Sequence, residues 1–264
     1  MESSFTVDFP NGVVAQALKV NAEAELTMGL TAMGLGKNRP VLVVVGGASL
    51  IAPADLIKLQ TLFTEILAPL AQDLGCYVVD GGTDAGVMKL IGNARSEIRS
   101  GGTIFPLIGV APIGLVKLPQ RNTADDVGRN LADNINEDPT ELEPHHSHFV
   151  LVPGNQWGNE SGWLARIASL LAGDYPSVTV LINGGAIALV DAQSSIREQR
   201  PIVTIAGSGR LADEIAMAIL HPDQPRRPAI ESLLAEGQID LVDLTAALLD
   251  LSGILRQKLS GAKM

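Results

Sequence analysis

The stretch Val41-Leu42-Val43-Val44-Val45-Gly46-Gly47-Ala48-Ser49 decides the fold. Five aliphatic residues without polar alternation describe a strand buried on both faces, as in a parallel sheet. Two glycines follow at once, so the strand opens into a loop with conformations that other residues avoid. The same unit recurs at 76–79, 103–110, 149–152, 178–182 and 202–206. Five of the six runs reach a glycine within two residues. The loops are Gly46-Gly47-Ala48-Ser49, Gly81-Gly82-Thr83, Gly154 onward, Gly184-Gly185 and Gly207-Ser208-Gly209.

Helical segments separate these runs. Residues 55–74 carry Leu56, Leu59, Phe63, Ile66, Leu67 and Leu70 at helical spacing, with Pro53 near the start. Pro69 is expected to kink or end that helix. Residues 86–99, 162–172, 186–199 and 211–220 are the other helices. Strands alternating with helices of this length predict βαβ units, hence a doubly wound, mainly parallel, Rossmann-like α/β sheet with helices on both faces. That domain is expected over 1–222. Within it, 1–39 form an N-terminal extension with an edge strand at 5–9 and a helical stretch rich in Ala, Leu and Met. Residues 111–147 read as a long loop suited to a lid or binding role. Residues 223–264 read as a C-terminal helical extension whose stripe Leu241, Leu244, Leu248, Leu249, Leu251 and Ile254 packs on the domain, or alternatively forms a dimer contact.

Composition narrows the function. Lys plus Arg number 19 against 29 Asp plus Glu, a net charge of −10, so a broad nucleic-acid-binding face is not expected. Aromatic residues are 3%, too few for base-stacking platforms. A single cysteine, Cys76, makes neither an intrachain disulfide nor a Cys-rich zinc site. No run approaches the about 18 apolar residues of a membrane helix, and the first residues lack the pattern of a secretion signal. A cytoplasmic location without membrane insertion is the expectation.

Ligands of open parallel sheets bind beyond the carboxyl ends of the strands, at a topological switch point. Backbone amides of glycine loops and helix amino ends hold phosphate there without a basic surface. Gly207-Ser208-Gly209-Arg210-Leu211-Ala212 fits G-x-G-x-x-G/A after a strand and before a helix. No following strand with a terminal acid is evident, so a standard NAD dehydrogenase module is not supported. Arg210 could clamp a phosphate or pair with Asp213 or Glu214. Asp80 could accept ribose hydroxyls or cap its own turn. Thr83 could cap a helix or donate to a ligand. Of His145, His146 and His148, the last two share a strand face if the strand starts early. A metal is not expected, since no clear carboxylate partner is in view. In the stretch Val152 to Glu160, Trp157 could stack on a base, and Glu160 could act at a reacting centre or serve as a capping acid.

Three stretches, in order, resemble the SLOG superfamily, and within it the prokaryotic relatives of the cytosolic N-terminal region of TRPM channels, called LSDAT. Asp80-Gly81-Gly82-Thr83-Asp84-Ala85-Gly86-Val87-Met88-Lys89 looks like the TRPM pattern of two glycines followed by Gly-Val-Met-Lys. His146-Ser147-His148-Phe149 resembles its His-Ser/Thr-His-Phe strand. Gly207-Ser208-Gly209-Arg210-Leu211-Ala212-Asp213 resembles its Gly-Ser/Thr-Gly-Arg-x-x-Asp turn. The resemblance implies a pocket for a nucleotide-derived ligand such as ADP-ribose and no other cofactor. Its expected residues are Gly46, Gly47, Ala48, Ser49, Asp80, Gly81, Gly82, Thr83, Gly86, His148, Gly154, Asn155, Trp157, Gly184, Gly207, Ser208, Gly209 and Arg210. The Lonely Guy phosphoribohydrolases of the same superfamily use a Pro-Gly-Gly-x-Gly-Thr-x-x-Glu loop similar in place to Pro153-Gly154 through Glu160. The alternative is therefore an N-glycosidase acting on a nucleoside monophosphate, with Glu160 catalytic. A homo-oligomer and an unidentified effector partner complete the expectations.

Overall fold

A computed structural model describes residues 3–47, 51–99, 102–119, 139–245 and 248–260. Its main strands are β1 (Ser3–Asp8), β2 (Val14–Lys19), β3 (Val41–Gly46), β4 (Tyr77–Asp80), β5 (Leu107–Pro112), β8 (His148–Val152), β9 (Ser177–Ile182), β10 (Ile202–Ala206) and β11 (Ile239–Asp243). They form one sheet in the order β1-β2-β8-β5-β4-β3-β9-β10-β11. The short strands β6 (Val116–Lys117) and β7 (Thr140–Glu141) pair separately. Every neighbouring pair in the large sheet is parallel except the β1–β2 hairpin. The helices are α1 (Leu26–Ala32), α2 (Pro53–Thr61), α3 (Ala68–Asp73), α4 (Gly86–Glu97), α5 (Ser161–Ala172), α6 (Ala186–Arg197), α7 (Arg210–Leu220), α8 (Pro228–Glu236) and α9 (Leu248–Ser260).

Strand β3 shows why the sheet lies between two helical layers. Val41, Val43 and Val45 point into a core shared with α1, α5, α6, α7 and α8. Leu42 and Val44 point into a second core with α2, α3, α4 and α9. Each fully buried aliphatic side chain contributes about 1.5–3 kcal/mol over exposure, so one unbroken apolar run ties both layers together.

Several boundaries differ from expectation. The third strand begins at Leu107 rather than 103. Pro69 does not end the long helix early, which runs on to Asp73. The turn at Leu62–Leu67 widens to π geometry, and α3 begins with Pro69 in its first positions, where a missing N–H costs little. Strand β2, unread in the sequence, has buried Ala15 and Ala17 facing Phe149 and Phe9 in a third small core. Alanine suggests helix, yet a small side chain is what fits beside those rings. The expected lid falls mostly on residues 120–138, which lie outside the described residues.

The largest correction concerns the C-terminal extension. Leu241 is not helical: it belongs to β11, which pairs parallel with β10, and Leu244 follows directly. The extension thus supplies a strand of the sheet. In α9, Leu251, Leu255 and Leu259 are buried in the second core and Ile254 packs against it, so this stripe is used within the chain. The side chains of Leu248 and Leu249 lie outside the described residues. Among the described residues no helix is long and apolar enough to cross a membrane.

The chain lays down β3, β4, β5 and β8 in one direction, then returns to place β9 against the other side of β3 before adding β10 and β11. The switch point is therefore the gap between the carboxyl ends of β3 and β9, where Gly46 is in register with Ile182.

Candidate functional site

Three glycine loops meet at this gap. Gly46 has φ +136, and a Cβ there would lie 1.8 Å from the Ile182 carbonyl oxygen. The Gly47 N–H donates to that oxygen at 3.2 Å. Across the gap, a Cβ on Gly184 would lie 2.5 Å from the Ala188 Cβ and 3.6 Å from the Gly46 Cα. Only bare backbone fits where the two strands end. Ala48 and Ser49 lie outside the described residues.

Asn183, not singled out in the sequence, joins the second loop to the third. It is fully buried with φ +53, a conformation that Asn tolerates better than most residues. Its backbone N–H donates to the Ser208 hydroxyl at 2.7 Å, and its side-chain amide donates to the Ser208 carbonyl at 2.8 Å. The Leu211 and Ala212 N–H groups donate to the carbonyls of Gly184 and Asn183 at 3.2 and 3.0 Å. The Gly207 N–H donates to Asp213 Oδ1 at 2.6 Å. The amino end of α7 is thus largely satisfied by the chain itself. The Gly207–Arg210 turn, one of the three loops expected to seat a phosphate, spends its Gly207 amide within the chain, as the start of α7 spends those of Leu211 and Ala212.

The open amino end is that of α6. Gly185 is its cap and the Leu189 N–H returns to the Gly185 carbonyl at 3.1 Å. The first-turn amides of a helix lack acceptors within it, and here Ala186 and Ile187 are exposed. The Arg210 side chain reaches over this cap: a Cβ on Gly185 would lie 2.4 Å from Arg210 Nη2 and 3.1 Å from its Cζ. Arg210 also holds φ +50. A non-glycine residue in this region stores about 1–3 kcal/mol of strain, and such residues cluster at functional sites.

The other predicted residues separate into two groups. In the first, strand β4 ends short of the rim: Val79 is level with Val43, so Asp80 lies two residues below Gly46, about 7 Å at strand rise. Residues 139–146 cover it. The Glu143 N–H donates to the Gly82 carbonyl at 2.9 Å, the Asp84 N–H to the Glu141 carbonyl at 2.8 Å, and buried Thr83 bridges Leu142. Gly82 packs on Gly109, where a Cβ would come within 2.7 Å of the Gly109 Cα. Gly86 begins α4 at the end of this loop.

Asp80 is fully buried, and Asp80 Oδ1 accepts from the Gly82 N–H at 2.8 Å and from His146 Nε2 at 2.8 Å. It caps its own turn. His146 Nδ1 pairs with Glu143 Oε2 at 2.7 Å, and Glu143 Oε1 pairs with His145 Nδ1 at 2.7 Å. These are its carboxylate partners, 66 residues from His146 in one case and three in the other. Burial disfavours the imidazolium, but Asp80 and Glu143 outweigh it and hold His146 up at about 9. Burial likewise opposes the Glu143 charge, and its hydrogen bonds to His146 and His145 win, so its carboxyl lies below the ordinary range.

His148 lies away from the rim. It starts β8, at the opposite edge of the sheet from the rim, while His146 stacks on Phe149, the neighbour that faces the other way. His148 Nε2 pairs with the Met33 carbonyl at 3.3 Å, and burial lowers its value to about 4.

The second group precedes α5, which crosses β4 and β3 to pack beside α6. Asn159 Oδ1 accepts the N–H groups of Asn155 and Gln156, and a Cβ on Gly154 would press on Asn159 and Pro112. Trp157 is half-buried. Glu160 is buried and accepts the Gly158 N–H at 2.8 Å, and burial raises its carboxyl. Asp191 of α6 faces Ser161 and Glu160. Burial, helped by the Glu160 charge against the Ser161 hydroxyl, pushes Asp191 up to about 7.

The family description "SLOG in TRPM, prokaryote" matches residues 39–250. The chain is 29% identical over 225 residues to a TRPM member-like 2 channel of Nematostella vectensis, covering 76% of this chain and 14% of that protein. It is 28% identical over 196 residues to TRPM member 2 of Mus musculus, covering 63% and 12%. With TRPM member 6 of Homo sapiens the figures are 24% over 183 residues, 62% and 9%. The chain thus spans about a seventh or less of these relatives. The X-ray structure of TM1055 superposes with a TM-score of 0.51 at 19% identity, covering 83% of this chain and 99% of that one, a likeness of fold. The chain belongs to the prokaryotic family of SLOG domains related to those of TRPM channels, and the family supports a role in nucleotide-related ligand binding or sensing.

Proposed function

We propose that the chain binds and senses a nucleotide-derived ligand of the ADP-ribose type at the β3–β9 gap. The observation that carries this reading is the Arg210 guanidinium laid over Gly185 at the open amino end of α6. Amide dipoles and one fixed cation together favour a phosphate in a protein whose net charge is −10. A response to the ligand requires different affinities in two states, transmitted to an effector or to a second copy of the chain. Calorimetry with ADP-ribose, cyclic ADP-ribose, NAD and AMP tests the reading. At least one is expected to bind, and absence of binding by all at millimolar concentration contradicts it.

Arg210→Ala is expected to weaken that binding by about 1–3 kcal/mol, the value of a charged hydrogen bond. Arg210→Gly is expected to lose binding equally, yet to exceed Arg210→Ala in stability by about 1 kcal/mol, because glycine accepts φ +50 without strain. Equal stability of the two variants by urea unfolding contradicts the assigned strain.

A second reading is N-glycosidase action on a nucleoside monophosphate. It is favoured by two neighbouring buried carboxyls, Glu160 raised by its burial and Asp191 raised to about 7, since a carboxyl lifted above its ordinary range is a better proton donor and acceptor for such a step. Release of free adenine from AMP, abolished in Glu160→Gln, is the expected result on this reading. Unchanged turnover in that variant rejects it.

A further inference from the structure

Strand β11 completes a pattern that the sequence leaves broken. Gly207-Ser208-Gly209-Arg210-Leu211-Ala212 follows β10 and opens α7, and the chain then returns through α8 to β11, parallel to β10. In dinucleotide-binding units of this form, the acid at the end of the second strand accepts the ribose hydroxyls. Here β11 ends on Asp243, in register with Ala206, the residue before the glycine turn. The Leu244 N–H donates to the Ala206 carbonyl at 2.8 Å, and a Cβ on Gly207 would lie 3.7 Å from the Leu244 Cβ. The end of β11 is therefore fixed beside the turn, with Asp243 exposed.

We propose that Asp243 is the ribose-diol acceptor of this site, which makes the ligand a ribonucleotide with free 2′ and 3′ hydroxyls. The inference rests on the nucleotide reading above and adds its sugar specificity. Asp243 Oδ1 accepts from the Thr245 N–H at 2.7 Å and from the Thr245 hydroxyl. This turn fixes the direction of the carboxylate at the end of β11. Gly185 and Arg210 hold the phosphate at the end of β9, and Asp243 lies at the end of β11. Two strand spacings, about 10 Å, separate them, a span bridged by a sugar phosphate with a hydrogen bond at either end.

Titration of the full chain with AMP and with 2′-deoxy-AMP tests the proposal. The wild type is expected to prefer AMP by about tenfold, the value of a hydrogen bond to a charged acceptor. Asp243→Ala is expected to bind both at the 2′-deoxy level. Asp243→Asn, which keeps an acceptor for the Thr245 turn, is expected to prefer AMP by less than threefold. Thr245→Ala, which removes the hydroxyl of the turn alone, is expected to retain the preference. A wild-type preference surviving in both Asp243 variants, or equal binding of the two ligands by the wild type, overturns the assignment and leaves the phosphate seat standing. Failure of folded wild type to bind either overturns the Asp243 assignment, while the phosphate seat falls only if ADP-ribose, cyclic ADP-ribose and NAD fail to bind as well.

Discussion

Replacing His146 by alanine is expected to destabilise the protein by about 3–5 kcal/mol, the cost of removing one partner from a buried charge pair. The ring lies at 0% exposure between Asp80 and Glu143, themselves 0% and 1% exposed. Its loss strands two carboxylates. Asp80 Oδ2 already lacks a partner among the described residues, and Arg95 is turned to the carbonyls of Phe105 and His145. The pH dependence has a definite sign. His146 titrates at about 9 when folded against 6.5 ordinarily, so its contribution is complete below 6.5 and is lost as pH rises through 9. Glu143, held low, contributes above its ordinary 4.5 and loses that contribution as pH falls below it. Urea midpoints of the wild type are expected to fall between pH 7 and pH 10, while those of His146→Ala lack this component. A variant within 1 kcal/mol of the wild type at pH 7 contradicts the assigned charge cluster.

Gly46→Ala is expected to cost about 2–5 kcal/mol. Overpacking typically costs about 1–3 kcal/mol, and a left-handed backbone on a non-glycine residue about 1–2 kcal/mol more. The added methyl meets the Ile182 carbonyl, a backbone atom held in the β3–β9 ladder, so neither partner has a side chain to rotate away. The variant must splay the gap or shift β3, and ligand binding is expected to fall along with the urea midpoint. Gly36→Ala, with nothing within 4 Å of its Cβ, is the matched control and is expected to stay within about 0.5 kcal/mol. A Gly46 variant as stable as that control contradicts the close approach of the two strands.

The parallel core was legible because β3, β9 and β10 are apolar on both faces, a pattern with few other readings. Strand β11 was not: Ile239-Asp240-Leu241-Val242-Asp243 mixes apolar and acidic residues at the sheet edge, and its Leu241 also fits a helical stripe with Leu244 and Leu248. The error extended to the site, since Asp243 could be placed beside the glycine turn only once β11 was seen. The rim loops were legible as glycines, but which amides stay open was not. That depends on Asn183 and Gly184 reaching the start of α7, contacts across more than twenty residues. The pairing of His146 with Asp80 was hidden for the same reason, although Glu143, three residues before His146, was a nearby sign of a carboxylate partner.

A crystal structure of the protein with ADP-ribose tests the central claim most directly. The account predicts a ligand phosphate within hydrogen-bond distance of the Arg210 guanidinium and the first amides of α6, in the gap between β3 and β9. Ligand bound with its phosphates away from Gly185 and Arg210 would contradict it.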